Sequence, residues 1–328
     1  MSEVKTIDPR GLEHHERESL IFPSLEDLKK NDTLVIIMEF NPLPLVYLLE
    51  SSKEFEVSRQ KKGPEEWILT VKRVASAENK NEQLKDLLQE LKKGKIPEVV
   101  AVKSEKPHPK VDAGSSQDRG SGLTREDMVH EQIRTHLCDL HLEALKERLL
   151  AKSIAVEAPH PVNSFMQEHK IILESLNDLS SFLGSLGQAE SFEDLGRDLQ
   201  KLKDISHHLV EAESHHQREE EALFPILAKH DVIEPGEIMK IDHTEFRKRK
   251  QALYKLSHNS EDYAFEEFKK NVSNLGGYLV QALESHIFKE DNIIYQIALQ
   301  ILSEDEWQEV KKECDKIGYC CFTPADQK

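Results

Sequence analysis

A chain of 328 residues with 38% hydrophobic content can fill two or three domains, at least one with a sizeable core. Its formal net charge of −17 repels phosphate backbones and anionic membranes, so neither nucleic acid nor a lipid surface is an expected partner. No apolar run approaches the ~20 residues of a membrane span, residues 1–10 are polar with no signal-peptide core, and the expected setting is the cytoplasm.

Residues 1–76 read as a small α/β two-layer domain. Residues 20–28 predict a short helix. Residues 33–40 are a β-branched and apolar run ending at Asn41-Pro42, a strand followed by a turn. Residues 43–49 predict a second helix. Residues 54–58 and 66–72 alternate in polarity and flank Gly63-Pro64, as a hairpin would.

Residues 77–102 carry an amphipathic helix over 81–93, with Leu84, Leu87, Leu88 and Leu91 on one face. Residues 103–122 have almost no large apolar side chains and are rich in Pro, Gly and Ser. That composition cannot offset ordering entropy and predicts a disordered linker. Helical periodicity resumes over 124–150 (Ile133, Leu137, Leu140, Leu145), giving a helical module at 123–154. The four cysteines lack zinc-type CxxC spacing, and adjacent Cys320 and Cys321 are expected as reduced thiols.

From residue 155 the pattern is helical throughout. Pro161 sits where a helix begins. Val162, Phe165, His169, Ile172, Leu176, Leu179 and Leu183 follow a 3,4 spacing, which puts His169 in the apolar seam. A long helix is expected over 198–229, a break at Pro235-Gly236, then helices over 237–257 and 264–302. Short connections predict an antiparallel four-helix bundle over 155–306, followed by a tail at 307–328. The fold class is therefore multidomain α+β: a small N-terminal α/β domain, a helical middle segment and a C-terminal bundle.

Each of the four bundle helices carries a histidine where an apolar residue should sit: His169, His215, His243 and His286. Glu219 and Glu290 follow two of them one turn later, on the same helix face. Burying such groups unpaired costs several kcal/mol in total. A metal shared by the four helices would remove that cost. A lone histidine on an apolar face is usually a satisfied core residue, but four on four successive helices point to a site. Imidazole with carboxylate suits iron, zinc or manganese, and two carboxylates can bridge a pair of ions. Ferritin-like bundles place a Glu-x-x-His on two helices, the reverse of the order here.

The stretches HPVNSFMQEHKII (160–172), HHQREEEALFPIL (215–227), DHTEFR (242–247) and HIFKEDNIIYQIA (286–298) resemble the hemerythrin-like (HHE cation-binding) family. The resemblance implies a four-helix bundle with a non-haem di-iron site, bridging carboxylates and binding of dioxygen or nitric oxide. The implied ligands are His169, His215, Glu219, His243, His286 and Glu290; zinc and manganese rank behind iron. The family's respiratory members carry a fifth histidine one turn after the third-helix histidine. That position is Arg247 here, which cannot bind metal. Water, a carboxylate or another histidine would replace it, with His160, His208 and Glu220 as candidates. His216 with Glu220 is an alternative register to His215 with Glu219, and Asp291 competes with Glu290.

Residues 6–73 resemble sulfur-carrier-like (SirA/TusA-like) modules of unknown function through Asp8-Pro-Arg10, Asn41-Pro-Leu-Pro44 and Gly63-Pro-Glu-Glu-Trp67. No cysteine precedes Cys138, so sulfur transfer is not expected. Residues 80–150 resemble a helical module found beside hemerythrin-like domains, through Leu137-Cys-Asp-Leu-His141. His136, Cys138 and His141 could be ligands for a second site, but scattered polar residues of a helix are the first expectation. The expected function is binding or sensing of dioxygen or nitric oxide, relayed to a protein partner through the N-terminal domains. Iron-dependent reduction of nitric oxide or peroxide, or repair of iron centres, is the alternative. Iron storage and a zinc-loaded structural bundle stand behind both.

Overall fold

The computed structural model describes residues 2–12, 14–63, 66–75, 146 and 148–324. The helix expected over 81–93, the linker at 103–122, nearly all of the 123–154 module, and His136, Cys138 and His141 lie outside the described residues. The chain divides into two compact units.

One is built on a four-stranded sheet. Along residues 2–75 the elements run β1 (Val4–Ile7), α1 (His14–Glu26), β2 (Thr33–Met38), α2 (Leu43–Ser52), β3 (Phe55–Gly63) and β4 (Glu66–Arg73). The strand order is β1-β2-β4-β3, with β1 parallel to β2 and the other pairs antiparallel. Side chains of a strand alternate between faces, and the register pairs Leu34 with Val71 and Ile36 with Leu69, all four without solvent exposure. The hairpin expected around Gly63-Pro64 is β3–β4, with a longer first strand than the alternation indicated. Strand β1 was not legible, because Val4–Ile7 mixes polar and apolar residues at an edge.

The helical unit contains α3 (Pro161–Gln188), a single turn at Phe192–Leu195, α4 (Asp198–Glu211), α5 (Glu213–Arg218), α6 (Phe224–Lys229), α7 (Glu234–His258), α8 (Phe265–Lys289), α9 (Tyr295–Ile301) and α10 (Glu304–Ile317). Pro161 is the first residue of α3, where its missing N–H costs nothing, and the His160 side chain accepts the Val162 N–H. The expected 198–229 helix bends at Ala212 and passes through a π-helical turn at Glu219–Leu223 between α5 and α6. A second π-helical turn, Glu290–Ile294, joins α8 to α9. Pro235 lies in the first turn of α7, so the break falls before it. Helices α3, α4, α7 and α8 border one another in that cyclic order, as in a four-helix bundle. Their apolar stripes meet in one core that includes Ile172, Leu176, Leu209, Leu253, Phe268 and Leu279.

Residues 307–324, expected as a tail, hold most of α10. Ser303 and Glu306 form a capping box at its start. Trp307, Val310 and Cys314 recur at helical spacing and are buried, and Cys320 and Phe322 beyond the helix join the bundle core. That apolar spacing is why the segment folds onto the helices rather than trailing from them.

Candidate metal centre

His169 on α3, His215 and Glu219 at α5, His243 on α7, and His286 and Glu290 at the end of α8 are brought together, and none exposes more than 2% of its surface. The four imidazoles face one another in two pairs: His169 Nε2 lies 2.9 Å from His215 Nε2, and His243 Nε2 lies 2.9 Å from His286 Nε2. The two carboxylates lie between the pairs. Glu219 Oε2 is 3.5 Å from His215 Nε2 and 3.6 Å from His243 Nε2. Glu290 reaches His169 at 3.3 Å, His243 at 3.5 Å and His286 at 2.9 Å. Ligand atoms of His169, His215, Glu219 and Glu290, and likewise of His243, His286 and Glu290, are close enough to surround a cation.

The far nitrogen of each ring is tied to a further carboxylate. His169 Nδ1 donates to Asp291 at 2.8 Å, His215 Nδ1 to Glu168 at 2.6 Å, His243 Nδ1 to Glu220 at 2.8 Å and His286 Nδ1 to Asp242 at 3.2 Å. An ionised carboxylate can only accept, so each Nδ1 carries the proton. A neutral ring then presents its Nε2 lone pair inward. Two lone pairs 2.9 Å apart repel, and Glu219 Oε2 and both Glu290 oxygens are buried without a hydrogen-bond partner. A cation between them satisfies every one of these atoms, and carboxylates behind ligating imidazoles are the usual support of such a centre. The residues present therefore fit a bound metal.

Protons do the same work less completely. Burial opposes charge on His169 and His286, yet Asp291 and Glu290 hold the first, and Glu290 and Asp242 the second, above the usual histidine range. Burial pushes His215 down to about 4, and the charge on His169 adds to this. Burial also works against ionised Glu290, but His286, His169 and His243 pull it well below the carboxylate range. Glu219 is raised by burial and by Glu290 beside it. Two adjacent buried carboxylates cannot both ionise without more positive charge than these rings supply.

The alternatives left open by the sequence separate cleanly. Asp291 and Glu220 bond the outer nitrogens of His169 and His243 instead of facing the cluster. Arg247 also donates to Glu220, at 2.8 Å. His216 lies flat on His243, with centroids 4.0 Å apart and planes 9° from parallel. His216 is not among the residues whose ligand atoms come together. His160 caps α3 and packs on Trp307, and His208 lies beside Phe322; neither joins the cluster.

Several participants were missed by sequence reasoning. Tyr295 donates its hydroxyl to Glu219 and stacks on His169. Phe224 holds the equivalent place after the other π-helical turn and stacks on His243. Glu168 and Asp242 were also missed. A signal existed: each lone histidine is preceded by an acid, Glu168-His169 and Asp242-His243, and each clustered glutamate is followed by one, Glu219-Glu220 and Glu290-Asp291.

Comparison with known proteins agrees with this geometry. Residues 160–298 match the hemerythrin HHE cation binding domain, and residues 6–73 match an uncharacterized conserved protein family (DUF2249). No curated protein matches the chain at a significant level. Among the described residues, no helix is long and apolar enough to cross a membrane. The chain thus joins a DUF2249 module to a hemerythrin HHE cation-binding domain whose helices carry a buried His/Glu cluster.

Proposed function

We propose that His169, His215, Glu219, His243, His286 and Glu290 hold a non-haem di-iron centre that binds or senses dioxygen or nitric oxide in the cytoplasm. The observation that supports this most is the arrangement of two inward-facing imidazole pairs with two carboxylates between them. Glu219 and Glu290 each approach both pairs, as bridges between two ions would. Imidazole and carboxylate suit iron, with zinc and manganese behind it. Bound iron supplies one-electron redox chemistry and positions for a diatomic ligand.

The chain's own residues set the conditions for that chemistry. Asp291, Glu168, Glu220 and Asp242 fix the orientation and protonation of the four rings. Tyr295 holds Glu219 in place, and Phe165 and Phe224 border His215 and His243 and keep water from them. The DUF2249 module has no cysteine for sulfur transfer, and its role in this reading is to relay the state of the centre to a protein partner.

Six protein ligands for two ions leave room for exogenous ligands, and Arg247 stands where a further histidine would close one position. That favours a second reading, in which the centre reduces nitric oxide or peroxide or serves repair of iron centres. Anaerobic protein loaded with iron(II) distinguishes the readings. Stoichiometric, saturable binding of nitric oxide or dioxygen without catalytic turnover is expected. Multiple turnovers of nitric oxide or peroxide per chain would favour the second, and no response to either gas would contradict both.

A further inference from the structure

The outer carboxylates make the two halves of the cluster unlike. On the side of His243 and His286, Glu220 and Asp242 keep 20% and 30% of their side chains in solvent. The second partner of Glu220, Arg247, is 32% exposed. Behind His215 the situation reverses. Glu168 is fully buried and takes three donors: His215 Nδ1 at 2.6 Å, the Arg218 guanidinium at 2.6 Å and the Thr323 hydroxyl. Together these outweigh the cost of burial and hold the Glu168 carboxyl down. Arg218 is itself buried, with Phe165 and Tyr319 rings 5.3 Å and 4.9 Å from its guanidinium and Nε bonded to the Ser214 carbonyl. Tyr319 and Thr323 follow α10. The end of the described chain therefore closes over the carboxylate that orients His215. Asp291, behind His169, is 19% exposed, so the difference between the halves rests on Glu168.

We infer that this strap makes the two metal positions unequal: the ion held by His169 and His215 exchanges slowly, and the ion held by His243 and His286 is the exchangeable one. The inference rests on the two-ion reading above. An ion leaves when a ligating ring swings away, and the ring swings when its outer hydrogen bond gives. His215 is anchored to a carboxylate with no access to water and three simultaneous donors. His286 is anchored by a single 3.2 Å bond to a carboxylate that water can reach. Thr323, Arg218 and Glu168 act in this scheme as positioning residues for His215.

Release kinetics test the scheme. The full chain is loaded with zinc(II) and mixed with excess chromogenic chelator, and the released metal is followed in time. Two phases of equal amplitude are expected. Thr323→Val removes one donor at nearly constant volume and should speed the slow phase about tenfold, the lower end for loss of an outer partner. It should leave the fast phase alone, and Thr323→Ser should restore the slow one. Asp242→Asn should speed only the fast phase, and it carries the same test if Thr323→Val does not fold. Two ions leaving in one phase, or Thr323→Val changing both phases alike, would overturn the inference while leaving the two-ion reading intact. A total release of one ion would overturn both.

Discussion

The helical unit contains two buried regions of opposite chemistry. Toward one end, Leu176, Leu179, Leu202, Leu253, Phe268 and Val272 are without solvent exposure and belong to one apolar core. Toward the other, four imidazoles and two carboxylates are buried as completely. Burying each apolar side chain stabilises by roughly 1.5–3 kcal/mol. Burying an ionisable group costs energy unless it is paired. The same four helices thus carry a region that holds them together and a region that spends part of that stability to keep lone pairs aimed at one point. The His/Glu cluster is where burial is least favourable without a ligand.

The comparison can be broken most severely at Glu290, which faces three of the four rings. Glu290→Ala should lose both ions, and His243→Ala at least one, while far-UV circular dichroism stays near that of the parent. Metal counting after desalting reads this directly, and full stoichiometry in either variant would contradict the ligand assignment. The converse substitution is Leu253→Ala in the apolar region. It should lower unfolding stability by about 2–5 kcal/mol and leave metal stoichiometry unchanged.

Lys250 sharpens the comparison, because it places an ammonium inside the packed interior of α7. Burial pushes it down to about 8, although Glu213 acts in the other direction. Below that pH the group is charged in both folded and unfolded chains, and the full burial cost applies. As pH rises toward 10.5, its value in the open chain, the folded protein sheds the proton first and the cost is relieved. Lys250→Met should therefore stabilise metal-free protein at pH 7, by on the order of 3 kcal/mol, with an advantage that shrinks between pH 8 and 10.5. Thermal melts across that range test it; an advantage independent of pH would assign the effect to packing alone.

The smallest expected effect is at Tyr295. Tyr295→Phe removes the hydroxyl donor to Glu219 and reproduces the chemistry of Phe224 at the equivalent place. Both ions should remain, with a stability loss of about 1 kcal/mol and a shift in the absorption of the iron-loaded centre. Loss of an ion would make Tyr295 more than a support.

Much of this centre could be read from the chain because a histidine in an apolar seam violates the helical pattern around it. His169, His215, His243 and His286 each did so, and Glu219 and Glu290 fell on the same faces one turn later. The supporting carboxylates could not be read in that way. Glu168 bonds a ring on α5 and Asp242 a ring on α8, so their partners lie on other helices and leave no periodic trace. The π-helical turns were equally silent, because a residue spacing of four is compatible with the α-helical turn that precedes each of them. Edge strand β1 is too short and too polar to show alternation. The C-terminal strap looked like a tail since Gly318 ends α10 and the residues beyond contribute one side chain at a time, Cys320 and Phe322 to the core and Thr323 to Glu168.

The most direct test of the central claim is an anaerobic titration of the metal-free 328-residue chain with iron(II), with bound metal counted per chain and the absorption spectrum recorded before and after dioxygen. The account predicts two irons per chain, both absent from Glu290→Ala, and a new charge-transfer band on exposure to air. Binding of no iron, or two irons retained by Glu290→Ala, would contradict it and leave the buried His/Glu cluster without its proposed ligand.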